Sequence, residues 1–426
     1  MSDPQHSRRR RLLADLFRDY DGPPFSVRLW NGWQWASGPG ESPVFTVVIE
    51  SPSALTSLMT GQNEIALGEA FIRREIDVEG DIFSVFFVAE YLVNRPKGLF
   101  QRTAELIAQS AMNSKRWLSL GLQHSKARDR ASISYHYDQP VEFFRPWLGS
   151  TLAYSCAYFR SPQDSLDLAQ WQKLELICQK LRLQPLERFL DVGCGWGSLV
   201  LRAAGRYHVH AHGITLSRIQ AEVTQERIEN AELCQRCDVE LRDYRDCSHL
   251  SESFDKIASI GMFEHVGLQN LPEYFRTMRG LLRPGGTFLN HGIARSASSP
   301  IRQNSFIDRY VFPDGHLVTL SQAMSAAENA GLEVRDVENL REHYELTLRR
   351  WVEGLRQNEE VLRSHVSDTT FRIWLLYMAG SAAAFRRGDI AVYQILLSRP
   401  NQGRSELPLT REGWYAESTQ HQGAAV

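Results

Sequence analysis

The stretch Phe189-Leu190-Asp191-Val192-Gly193-Cys194-Gly195-Trp196-Gly197-Ser198 decides the fold. Four residues of strand character end on an acid and three alternate glycines, and residues 198–204 then open a helix, which makes a βα unit. Upstream, residues 166–183 carry apolar side chains at helical spacing. Downstream, strand candidates fall at 209–214, 239–241, 256–260 and 287–289, with helices at 218–228 and 271–282 between some of them. Strands alternating with helices predict an α/β fold with a doubly wound, Rossmann-like parallel sheet. In such a sheet the first strand-to-helix turn faces a ligand, because glycines let backbone and ribose approach without an intervening Cβ.

The spacing G-x-G-x-G (Gly193, Gly195, Gly197) differs from the dinucleotide pattern G-x-G-x-x-G. The point about twenty residues on reads Ile214-Thr215-Leu216, with no acid for a ribose diol. With Asp191 two residues before the first glycine, the pattern favours S-adenosylmethionine over a pyrophosphate-bearing cofactor.

The chain of 426 residues predicts at least two domains, and its 43% hydrophobic and 23% charged residues are ordinary globular values. With 48 basic against 50 acidic residues, no global field favours nucleic acid. Six scattered cysteines and no secretion signal point to reduced thiols and a cytoplasmic protein. Cys234-x-x-Cys237 has no second pair nearby, so no metal site is expected. Residues 25–50 alternate as strands around Asn31-Gly32 and Gly38-Pro39-Gly40, helical spacing appears at 54–60 and 82–93, and residues 101–130 are polar and basic. The expected divisions are a small α+β domain (1–100), a helical connector (101–130), a catalytic domain (131–400) and an untethered tail (401–426). Arg8–Arg11 before Leu12, Leu13 and Leu16 suit a solvated helix start or a contact with anionic headgroups.

Several stretches resemble the cyclopropane-fatty-acyl-phospholipid synthases and their mycolic-acid cyclopropane synthase relatives, in the family's order. They are YHYDQPVEFF (135–144), YSCAYF (154–159), LDVGCGWGSL (190–199), GITLSRIQ (213–220), DYRD (243–246), GMFEHVG (261–267), FLNHGIA (288–294), FIDRYVFPDG (306–315), LREHYELTLRRW (340–351) and AFRRGDIAVYQILLSR (384–399). LGEAFIRREIDVEGD (67–81) resembles the sterol-carrier-like domain of longer bacterial members.

The resemblance implies a class I methyltransferase domain behind that small domain. It also implies methylene transfer from S-adenosylmethionine to the cis double bond of unsaturated phospholipid acyl chains, at the inner face of the membrane. For the cofactor it implies Tyr154, Ser155, the loop Leu190, Asp191, Val192, Gly193, Cys194, Gly195, Trp196 and Gly197, then Thr215, Gln220, Tyr244 and Arg245. For a bound bicarbonate acting as base it implies Cys156, Glu264, His291, the backbone of Ile293, and Tyr344.

Taken singly, Cys156 also reads as a small buried side chain, His291 as a core histidine and Tyr344 as packing on Leu348 and Trp351. Methyl transfer to an alkene leaves a carbocation, for which Tyr137, Phe143, Phe144, Tyr154, Tyr158, Phe159, Tyr310 and Phe312 offer aromatic faces. Gly292, Ser381 and residues 314–319 depart from the family's usual residues, and these bear on substrate and final step. The rival readings are a branching fatty-acyl methyltransferase, a lipid-binding protein with an inactive methyltransferase fold, and a small-molecule methyltransferase. A homodimer would give two bilayer contacts, but no interface is legible in the letters.

Overall fold

The computed structural model describes residues 11–38, 40–55, 64–94, 139–299, 305–312 and 317–415. The predicted connector, Tyr137 and Arg8–Arg10 lie outside them. The chain forms two compact units, 1–121 with 302–311 and 366–383, and 122–301 with 312–365 and 384–426. Residues 302–311 and 366–383, which the sequence reading assigned to the catalytic domain, thus belong to the N-terminal unit. Tyr310 is among them, its hydroxyl donating to Glu69 at 2.8 Å, so it packs inside that unit.

The first unit holds β1 (Phe25–Leu29), β2 (Gln34–Ala36), β3 (Phe45–Ile49), α1 (Glu64–Ile72), β4 (Ile76–Gly80) and α2 (Val85–Asn94). Its sheet order is β2-β1-β3-β4. The β1–β2 hairpin turns where the sequence placed Asn31-Gly32, with Gly32 at φ 81°, a left-handed conformation that a side chain disfavours. One sheet face carries Phe25, Val27, Leu29, Phe45, Val47 and Ile49 into a core closed by Leu13, Phe17, Ala70 and Val88. The absence of polar residues at these alternate positions fixes the register, because a one-residue slip would expose the whole set.

The second unit contains α3 (Val141–Leu148), α4 (Leu166–Leu181), β5 (Arg188–Val192), α5 (Ser198–Tyr207), β6 (His210–Thr215), α6 (Arg218–Asn230), β7 (Cys237–Leu241), β8 (Phe254–Ile260), α7 (Leu271–Leu281), β9 (Leu282–Arg295), α8 (Leu320–Asn329), β10 (Glu333–Asn339), α9 (Arg341–Gln357) and β11 (Ile390–Ser398). The order is β10-β11-β9-β8-β5-β6-β7. The strands β9, β8, β5, β6 and β7 run parallel, and β11 is antiparallel to both β9 and β10. Helices on both faces bury β5 completely after its first residue, which accounts for its unbroken Phe189-Leu190-Asp191-Val192 run. The order reverses at β5, between β6 and β8, so a crevice opens at the carboxyl ends of these strands.

Two strands of this sheet go beyond the sequence expectation. The edge strand β10 reads EVRDVEN, too charged to announce itself as buried, and β11 was read only as part of a motif. The expected untethered tail is corrected as far as Trp414. That side chain is buried against α4 (5% exposed), and Arg411 meets Asp336 at 2.7 Å. A single large indole outweighs the polar composition around it.

Candidate active site

The glycine turn leaves β5 with Gly193, Gly195 and Gly197 at φ 82°, 56° and 83°, all left-handed. The amides of Gly193 and Cys194 donate to the Ile214 carbonyl at 2.9 and 3.0 Å, which ties the turn to the end of β6. Cys194 packs on Gly213, where an added Cβ would lie 2.9 Å from its sulfur, so it is buried filling and not a nucleophile. A cleft opens above the turn, lined by Tyr154, Ser155, Asp191, Val192, Gly193, Cys194, Gly195, Trp196, Thr215, Gln220, Tyr244 and Arg245. Of the expected cofactor residues, Leu190 and Gly197 stand apart. Leu190 faces the core, and Gly197 begins α5 against Thr224.

Local bonding explains the placement. Thr215 donates to the Gln220 side chain at 2.8 Å, and Ser217 caps α6 by accepting the Gln220 amide at 3.3 Å. Arg245 is drawn back onto Asp243 by two bonds of 2.9 and 2.7 Å, and Tyr244 is nearly buried beside it.

One charged group in this cleft escaped the sequence reading. Lys173 on α4 is 2% exposed and its ammonium donates to Ser155 Oγ at 2.8 Å. Burial lowers it to about 8, against the pull of Cys156 and Asp191. Burial likewise lifts Asp191 to about 7, opposed by Lys173, and its Oδ1 has no hydrogen-bond partner. A buried carboxylate with a free acceptor beside a Cβ-free turn suits a ligand that brings a positive charge and donors. The sulfonium and ammonium of S-adenosylmethionine fit that description. Gln170, one turn earlier on α4, holds the Ala153 and Ser155 carbonyls at 3.1 and 3.0 Å and so fixes the loop carrying Tyr154.

A second group of polar side chains forms at the β8–β9 edge. In register, Ile260 at the end of β8 faces His291, and β9 runs on past it. The Ile293 amide therefore has no strand partner on that side, and it donates to Glu264 Oε1 at 2.8 Å. The Ile293 amide, whose backbone the resemblance places at a bound anion, is thus held by the Glu264 carboxylate in this structure. Glu264 lies between Met262 and His265, which line the cleft. The residue is only part-buried, yet its Oε2 is shut from solvent and unpartnered. Burial raises it to about 7, against the backbone amides of Glu264 and Ile293. His291 is 1% exposed, its Nε2 also unpartnered, and burial with Lys173 and Lys180 keeps it neutral.

Cys156 is fully buried with Sγ on the Ala157 and Leu340 carbonyls at 3.2 and 3.8 Å, and burial pushes its thiol up, so it stays protonated. Tyr344 packs its ring on Phe385 and Trp351, with centroids 4.7 and 5.9 Å away. Trp351 continues to Tyr154 (5.2 Å) and Trp147 (5.8 Å), and Phe144 meets Trp196 at 4.8 Å, giving an aromatic wall around Tyr154. Tyr158 is instead stacked on His343. Among the described residues no cluster has metal-ligand character.

The departure at Gly292 has a local cause. An added Cβ would meet Phe263 at 2.8 Å, so Gly292→Ala is expected to lower stability by about 1–3 kcal/mol. Thermal unfolding would check this, and a Tm equal to that of the parent would show that Phe263 yields freely.

The sheet order, glycine turn and buried acid define a class I S-adenosylmethionine-dependent methyltransferase. The mycolic acid cyclopropane synthetase family model matches residues 124–395, and the chain belongs to that family. A second model, described as a domain of unknown function, matches residues 12–93. A Pseudomonas putida protein named a probable fatty acid methyltransferase is 40% identical over 397 residues, 92% of this chain and 96% of its own. The cyclopropane-fatty-acyl-phospholipid synthase of Escherichia coli is 37% identical over 62% of this chain and 66% of its own. The solved mycolic acid cyclopropane synthase CmaA1 with SAH and CTAB superposes with a TM-score of 0.60 at 34% identity, covering 63% of this chain and 97% of that one.

Proposed function

We propose that the chain methylates the cis double bond of unsaturated phospholipid acyl chains and closes the product to a cyclopropane. The observation that carries this reading is that two polar atoms near the end of β8 and on β9, Glu264 Oε2 and His291 Nε2, are both buried and unpartnered. An alkene carbon attacks the methyl electrophile that S-adenosylmethionine supplies, a C–C bond forms as the S–C bond breaks, and the neighbouring carbon becomes cationic. Loss of a proton from the transferred methyl then closes the ring. Tyr154, Trp351 and Tyr344 supply π faces for the cation, and the Glu264 carboxylate adds negative field. Glu264 and His291 suit a bicarbonate, which offers one O–H and several acceptor oxygens and would supply the base. Cys156, which the resemblance also assigns to that anion, keeps its protonated thiol on main-chain carbonyls. The amphipathic dimensions of such a substrate call for contact with a bilayer surface. Among the described residues no helix is long and apolar enough to cross a membrane, so the reading takes the enzyme as peripheral on the cytoplasmic face, with the N-terminal unit as a lipid-binding module.

A second reading, a methyl- or methylene-branched product, draws support from the name of the relative matched over 92% of the chain. Mass spectrometry of lipids after incubation with trideuteromethyl cofactor and mono-unsaturated phospholipid vesicles separates the two. A product with two retained deuterons and no double bond is expected. A methylated product that keeps unsaturation would establish branching, and unlabelled lipid would overturn both.

A further inference from the structure

We propose that Lys180 and Gln394 form a positioning relay that fixes His291 as its Nε2–H tautomer, presenting a neutral hydrogen-bond donor to the reaction centre. The functional half of this inference rests on the reading above, in which His291 serves the chemistry.

All three side chains are buried, Lys180 at 0%, Gln394 at 1% and His291 at 1% exposure. Gln394 on β11 lies directly opposite His291 on β9 in the antiparallel register, so the two side chains share a sheet face. Lys180, on the last turn of α4, donates to Gln394 Oε1 at 2.8 Å. It also donates to Glu338, and Asp336 lies 3.9 Å away, so carboxylates on β10 face the ammonium. An ammonium has donors only, and this settles the amide orientation. Gln394 must turn its oxygen to Lys180 and its NH2 to the imidazole. That NH2 lies 3.2 Å from His291 Nδ1. A donor pointing at Nδ1 requires a lone pair there, so the ring proton resides on Nε2.

The consequence reaches the site. Nε2 is buried and without a protein partner, hence it is a donor without an acceptor in the protein itself. An Nδ1–H imidazole would present a lone pair at the same place and repel an anion. The two lysines, one on each side along α4, also disfavour an imidazolium. The relay thus selects one of three protonation states, and it does so from a residue that touches neither cofactor nor substrate.

The test uses the full chain with selectively 15N-labelled histidine, the His291 signals being assigned by their loss in His291→Gln. Long-range 1H–15N correlations are expected to show a pyridine-type Nδ1 and a pyrrole-type Nε2. In Gln394→Glu a carboxylate can accept from Nδ1 while still receiving Lys180, so the pattern should reverse. Turnover should then fall by at least about tenfold with KM for the cofactor little changed, as expected for a misplaced tautomer. A wild-type spectrum with the proton on Nδ1 overturns the relay, even where the variant fails to fold. A reversed tautomer with undiminished turnover overturns its functional part, and the fault then lies in the role given to His291 and not in the relay.

Discussion

Glu264→Gln is expected to reduce kcat by about 100- to 1000-fold while leaving the fold intact, a loss typical of removing a positioned charge from a reaction centre. The substitution is nearly isosteric. Its amide oxygen can still accept the Ile293 amide that Glu264 Oε1 holds at 2.8 Å, so the loop after β8 keeps its anchor. What disappears is the negative charge, and with it, on the function proposed above, both the field at the developing cation and an acceptor for a bicarbonate hydroxyl. Because burial raises Glu264 to about 7, its anionic fraction grows as pH rises through neutrality. A reaction that needs the anion should therefore speed up between about pH 6 and 8. Asp191 is also raised to about 7, so the profile should be taken as kcat at saturating cofactor, where Asp191 is already engaged. The rising limb should vanish in Glu264→Gln. Full activity, or an unchanged limb, would remove Glu264 from the chemistry.

The sequence displayed the parts of the molecule whose spacing is dictated by one backbone geometry. The turn at Gly193, Gly195 and Gly197 needs left-handed residues, and the strands that flank it are buried on both faces, so composition and order announced them. The edge strand β10 did not appear because its residues face solvent as much as core. The grouping of residues 302–311 and 366–383 with the N-terminal unit was illegible for another reason, since local patterning carries no record of which distant segment a helix packs against. The bond from the Ile293 amide to Glu264 was illegible likewise. That amide is open only because β9 outruns β8, a fact of register that a motif does not state. Lys173 is the instructive omission. Gln170, Lys173, Ile177 and Lys180 recur at helical spacing along α4 and are all buried, so three polar side chains occupy a face that packs against the sheet. Long polar residues at core positions rarely survive without partners. That stripe was readable as a signal for buried acceptors, here Ser155, Gln394 and Glu338, but its apolar neighbours Leu174, Cys178 and Leu181 masked it.

Lys173→Met is expected to weaken S-adenosylmethionine binding by about tenfold or more at pH 7, and the deficit should shrink as pH rises. Methionine keeps the length and packing of the lysine stem but removes the ammonium that donates to Ser155 Oγ at 2.8 Å. Asp191 is fully buried, and Lys173 is the cation that opposes its desolvation. Without that cation the carboxyl shifts further above about 7 and is neutral at pH 7. The neutral acid offers no countercharge to a cationic cofactor, whereas at pH 9 the group ionises again and much of the affinity should return. In the parent chain Lys173, lowered to about 8, itself loses its proton above that pH, so at pH 9 Asp191 has an uncharged neighbour in both chains and the two affinities should converge. Isothermal titration at pH 7 and 9 reads both effects. Ser155 also loses its partner, and a looser loop around Tyr154 would weaken binding equally at both pH values, which separates positioning from charge. Tighter binding at pH 7 would mean that Lys173 acts on the cofactor as a like charge and that Asp191 is not its counterion, and the electrostatic account of the cleft would then fail.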